Sequence, residues 1–139
     1  MNPSDVFQIV NTAVLPAWIF LAVAPRWRYR NTIIYGFCML LAAIYAFYIF
    51  SDFGSLDFDS FGSLAGVMSL FTQEEAVLAG WVHYLVFDLL IGNWVVNQSI
   101  KHEIKHIFVV PCLVLCFMLG PVGFLLFSIV KYIKTRSLE

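Results

Sequence analysis

Residues 73–97, QEEAVLAGWVHYLVFDLLIGNWVVN, constrain this chain more than any other stretch. They are long and apolar enough to cross a bilayer as a helix, which takes about 20 mostly apolar residues. Yet the stretch also carries Glu74, Glu75, His83, Asp88 and Asn93. A charge at the bilayer centre costs at least ~2.5–3.5 kcal/mol on insertion scales. His83 and Asp88 fall near the middle of the span, where the cost is greatest. A span that keeps such groups must bury them against partners or use them.

Three further stretches qualify as spans, at about 5–24, 32–51 and 107–130. The expected fold is therefore an all-α integral membrane protein, one domain with four transmembrane helices in a bundle. Composition agrees: only 12% of the 139 residues are charged, against about 25% in a soluble domain. Ser4 is a candidate N-cap for the first span, and Pro16 should kink it. Pro111 sits in the first turns of the fourth span. Gly120-Pro121 interrupts that span near its middle, where a kink is expected; a broken helix bares backbone carbonyls that protein or a cavity must cover. Residues 52–72 are too apolar for a free loop and too broken by glycine for a span. They read as an interfacial or re-entrant segment with a short helix around 60–71, placed to act as a lid.

The net charge of −1 comes with no basic tract able to follow a phosphate backbone, so no nucleic-acid partner is expected. Arg26, Arg28 and Arg30 alternate with Trp27 and Tyr29 in the first link, the pattern of an interfacial anchor. Lys101 and Lys105 lie in the third link, and the second link has no Lys or Arg. The positive-inside rule then puts links one and three in the cytoplasm and both termini outside. Lys131, Lys134 and Arg136, near the C-terminus, run against that arrangement. No cleavable signal is evident, because no Lys or Arg precedes the first apolar stretch. Cys38, Cys112 and Cys116 all lie in apolar runs and read as buried small hydrophobes.

On a helical wheel Trp81, Tyr84 and Asp88 share one face of the third span, with Glu74 below them. Glu75, His83, Asn93 and Trp94 fall on a second arc, so His83 and Asp88 need not touch. Each is expected to meet a partner from another span, such as Asn11 or a tyrosine. Asp88 as proton donor and His83 as proton acceptor would suit a cofactor-free isomerisation of an apolar substrate. The alternative is that both are satisfied by hydrogen bonds and set helix register. Tyr45 and Tyr48, three apart on the second span, are candidates to line a pocket for a flat or conjugated ligand. The expected substrate contacts are Asn11, Tyr45, Trp81, Tyr84 and Asn93.

The string His102-Glu103-Ile104-Lys105-His106 is a literal H-E-x-x-H. On a continuous helix its histidines would sit one turn apart and bind zinc, with Glu103 activating water. It lies at a link between spans and needs a third ligand, so a solvated helix start is the weightier reading. No cofactor is expected, with zinc at His102, Glu103 and His106 as the exception to test. Spans that bury polar groups often associate, which makes a homodimer an expectation alongside contacts with membrane lipids.

The string from Glu75 to Leu85, EAVLAGWVHYL, followed by Phe87-Asp88-Leu89, resembles the signature of the neoxanthin-synthase-related (abscisic-acid-deficient-four-like) family of small membrane proteins. Asn11 with Leu15-Pro16, Ala24-Pro25-Arg26, His106 with Pro111-Cys112, and Phe117-Met118 with Gly120-Pro121 add to the match. The resemblance implies four spans. It also implies chemistry related to converting the epoxy-carotenoid violaxanthin to the allenic neoxanthin, which is tied to the plant members. In that chemistry an acid protonates the epoxide oxygen and a base removes a proton from the adjacent carbon. Asp88 is the candidate acid and His83 the candidate base or orienter, with Glu75 as its understudy. Without a plastid transit segment the expected location is a bacterial cytoplasmic membrane, and the expected ligand a carotenoid or other isoprenoid lipid. A non-catalytic lipid- or pigment-binding scaffold for a partner enzyme is the alternative, and a zinc hydrolase ranks behind both.

Overall fold

The computed structural model describes residues 2–51 and 58–137. Four long helices, α1 (Pro3–Val23), α2 (Arg30–Ser51), α4 (Glu74–Lys101) and α5 (His106–Thr135), have the length and composition of membrane spans, as expected. Between α2 and α4 lie a 3-10 turn (Phe58–Gly62) and a short helix, α3 (Leu64–Leu70). The helix of α3 matches the one expected around 60–71, and none of its residues is buried. Part of the 52–72 connection, residues 52–57, lies outside the described residues. Helix α1 starts two residues earlier than expected. Asn2, not Ser4, caps it by accepting a bond from the Ser4 amide at 3.2 Å, and Pro3 fills the first turn, where a missing N–H costs nothing.

Helix α4 is the axis of the bundle and packs on α1, α2 and α5. It is the least apolar of the four, with mean hydropathy 1.4, yet the most enclosed, with 44% of its apolar window buried. The other three have mean hydropathies of 1.9–2.5 and are 17–28% buried. Helices facing lipid must be apolar all round, whereas a helix wrapped by protein can carry polar groups if they find partners. That enclosure is what takes Asp88 and Asn93 out of contact with lipid.

Helix α5 does not run straight through. Leu119 leaves helical geometry (φ −145°, ψ 55°) just before Gly120-Pro121, and the chain reverses there instead of only kinking. In a straight helix residues 108 and 133 would lie about 37 Å apart. Here Phe108, Ile133 and Lys134 line one cavity. A Cβ on Gly123 would collide with the backbone and Sγ of Cys116, which only antiparallel arms allow. The first arm, 106–118, descends along α1, with Trp18 and Phe117 edge-to-face at 5.6 Å. The second arm, 120–135, returns along α4. Trp94 meets Phe124 at 5.5 Å and Phe127 at 5.7 Å, and the Lys131 ammonium donates to Gln98 Oε1 at 3.1 Å.

The reversal corrects the expected topology. The N-terminus lies at the Glu74 end of the bundle, where Pro3, Phe7, Glu74 and Leu78 share a cavity. The C-terminal cations instead join the links at the opposite end. All eight Lys and Arg residues of the chain therefore gather at one end of the bundle. Arg30 is also more than a headgroup anchor. It is 3% exposed and donates to the Pro25 carbonyl, Asn31 Oδ1 and Asn97 Oδ1, tying α2 to α4.

Candidate functional site

The hairpin tip of α5 meets α4 near the middle of α4, and the polar residues of one α4 face converge there. Residues 81, 84 and 88 share that face because seven residues make almost two helical turns. The first arm ends with carbonyls that have no intrahelical donor, and Pro121 supplies no N–H. Tyr84 meets that need: its hydroxyl donates to the Met118 carbonyl at 3.0 Å. Its other polar neighbours are the Gly120 backbone and the Asp88 carboxylate.

Asp88 lies against Gly120 at the start of the second arm. A Cβ at Gly120 would collide with Oδ1 and Cγ of Asp88, so glycine is what lets the carboxylate reach the turn. Asp88 is 8% exposed, and its Oδ2 has no hydrogen-bond partner. The Asp88 residue also lines a cavity of about 310 Å³, together with Phe87, Ile91, Gly120, Pro121 and Phe124. Phe87 and Phe124 are exposed on the outer surface of the bundle, so the cavity opens sideways toward lipid.

A second part of the face leads from Asp88 toward the acidic end. Trp81 stacks on Tyr84 at 5.6 Å and 28°. Its Nε1 donates to Asn11 Oδ1 at 3.3 Å, and Phe7 packs on its ring at 5.5 Å. Asn11, Trp81, Tyr84 and Asp88 thus form one continuous polar and aromatic track from α1 to the hairpin tip.

The other expected site residues lie elsewhere. His83 faces outward on a different side of α4, with its ring 4.6 Å from Phe87 and 5.6 Å from Tyr45. Phe87 thus stands between the imidazole and the Asp88 cavity, and Tyr45 belongs to the His83 cluster. Glu75 is exposed in the first turn of α4, about 20 Å from Asp88 along the helix axis. Asn93 is fully buried, and neither polar atom of its side chain has a partner. It falls on the α4 face of Val86 and Asn97, both of which touch α2.

H-E-x-x-H does not form one helix. Helix α4 ends at Lys101, Glu103 is left-handed at φ 51°, and α5 starts at His106. His106 Nε2 lies 2.7 Å from the Ala22 carbonyl, joining α5 to the end of α1. Among the described residues no group of three His, Cys, Asp or Glu side chains is placed to hold a metal ion. Partial burial, with Lys131 and Lys101 nearby, holds His102 below the usual histidine value.

Sequence reasoning missed the role of Gly120-Pro121, Phe87, Ile91 and Phe124. The Gly-Pro signal is visible in the sequence, but periodicity does not say how far a broken helix turns. The family model described as ABA DEFICIENT 4-like matches residues 5–127. Protein ABA DEFICIENT 4, chloroplastic, of Arabidopsis thaliana is 27% identical over 154 aligned residues, which cover 97% of this chain. The chain spans 62% of that relative's length. The relative's chloroplast location lends no support to a bacterial cytoplasmic membrane. No solved structure matches the chain.

Proposed function

Because this chain belongs to the ABA DEFICIENT 4-like family, we propose that it is a membrane-embedded isomerase of a carotenoid-like or other isoprenoid lipid, with Asp88 as its acid. The observation that carries this reading is a buried carboxyl group with one oxygen free of hydrogen bonds, on a residue that lines a lipid-side cavity with aromatic walls. A long apolar molecule reaches such a site by lateral movement in the bilayer, without passing through water. The epoxide opening implied by the resemblance needs no external oxidant or reductant. A protonated Asp88 gives its proton to the epoxide oxygen as the carbon–oxygen bond breaks. A proton then leaves the adjacent carbon for the resulting carboxylate, and the electron pair it leaves behind completes the allene. Substrate and product are isomers, and Asp88 ends as it began. Tyr84 holds the hairpin tip against Asp88. His83 has no place in this step, because its ring lies outside the cavity.

The test is turnover of an epoxy-carotenoid by protein reconstituted in vesicles. Asp88→Asn should lower it by at least ~100-fold, the usual scale of general acid–base catalysis, while His83→Gln stays near the parent. Full activity in Asp88→Asn would sink the proposal. One observation favours a binding-only scaffold instead: Tyr84 and Asp88 already serve the α5 turn. That reading predicts pigment that co-purifies unchanged and an Asp88→Asn protein that loses its fold.

A further inference from the structure

The two arms of α5 form a wedge. At the tip Gly123 rests directly on Cys116. Toward the basic end the facing residues are large: Phe108 on the first arm, Val130 and Ile133 on the second. The arms part there around a cavity of about 590 Å³. Its walls are apolar, and Phe108 (56% exposed) and Ile133 (67% exposed) are left uncovered.

The mouth of the wedge is charged. Lys105, just before the first arm, and Lys134, at the end of the second, line it together with Glu103. Among the described residues neither lysine has a hydrogen-bond or ion-pair partner. Lys131, one turn before Lys134, turns inward to Gln98 and Trp94 instead. With every cation of the chain at this end, the mouth lies at the level of lipid headgroups.

We propose that this wedge binds an anionic phospholipid of the leaflet at the basic end. The phosphate lies between Lys105 and Lys134, and one acyl chain fills the gap between Phe108 and Ile133. A soluble phosphate would leave the apolar walls bare, and an uncharged lipid would not use the net positive charge that Lys105 and Lys134 set against Glu103. An anionic amphiphile satisfies both. The site is separate from the Asp88 cavity and does not depend on the reaction assigned there.

The test uses full-length protein reconstituted in phosphatidylcholine vesicles with and without phosphatidylglycerol. After mild extraction, retained lipid is counted by native mass spectrometry. Phosphatidylglycerol should be retained in preference to phosphatidylcholine. That preference should fall on the order of tenfold in Lys105→Gln/Lys134→Gln, since each basic residue near an anionic surface contributes to binding. Phe108→Trp, which fills the wedge and leaves the charges alone, should lower retention of both lipids and keeps the proposal testable if the double variant misfolds. Equal retention of the two lipids by the parent, or an unchanged preference in a folded double variant, would overturn the proposal. So would displacement of the lipid by excess inorganic phosphate.

Discussion

Gly120 and Asp88 act as a pair: one makes room, the other fills it with a carboxylate. Gly120→Ala should therefore destabilise the protein by ~1–3 kcal/mol, the usual cost of overpacking. Gly36→Ala in α2 meets nothing within 4 Å and should be neutral or slightly stabilising, because alanine is the better helix former. Thermal unfolding in detergent separates the two. His102 sets a pH dependence. Its folded-state value lies below the usual 6.5, so the folded form binds a proton less readily than the unfolded form does. Stability should be greatest above about 6.5 and decline as pH falls below it, and His102→Gln should remove that part of the decline. Melting temperatures measured across that range are the check. At this scale the sequence was informative about which residues matter and poor about their neighbours. The face shared by Trp81, Tyr84 and Asp88 follows from spacing alone. The separation of His83 from Asp88 depends on which side Phe87 closes, and that is a matter of packing.

At the scale of elements, α4 and α5 divide the work. Helix α4 carries polar groups because three neighbours shield it, and α5 reverses because α4 receives the exposed ends of both arms. Tyr84 donates to the Met118 carbonyl of the first arm, and the Asp88 carboxyl group packs on Gly120 at the start of the second. Tyr84→Phe should leave the Met118 carbonyl unpaired and cost on the order of 1 kcal/mol. Hydrogen–deuterium exchange should then quicken around residues 118–123 while α2 is unchanged. Equal exchange in the two proteins would mean that the tip stands without this bond. The Gly-Pro break is legible in the sequence as a weak point in α5. The reversal is not, because a kinked through-span and a hairpin have the same composition and differ only in what receives the freed backbone groups.

For the whole molecule, the charge distribution decides orientation. With α5 doubled back, Arg26, Arg28, Arg30, Lys101, Lys105, Lys131, Lys134 and Arg136 share one end, while Asp5, Glu74 and Glu75 lie at the other. The conflict between the C-terminal cations and the links disappears. Single cysteines at 103 and 137 should label from one side of the membrane, and cysteines at 4 and 73 from the opposite side. The native Cys38, Cys112 and Cys116 are buried and add little background. Labelling of 103 and 137 from opposite sides would mean that α5 crosses the bilayer.

The sequence by itself determined that the chain is helical and membrane-embedded, which segments are long enough to span, and that the 73–97 stretch holds the polar residues of interest. These are properties of composition and period, set by the cost of moving charge and bare backbone into hydrocarbon. Only the tertiary structure decided that α5 turns back, that its tip brings Gly120 to Asp88, that His83 stays outside that cavity, and that H-E-x-x-H is split between two helices. Each of these depends on contacts between residues distant in the chain, where one backbone group's partner is supplied by another helix.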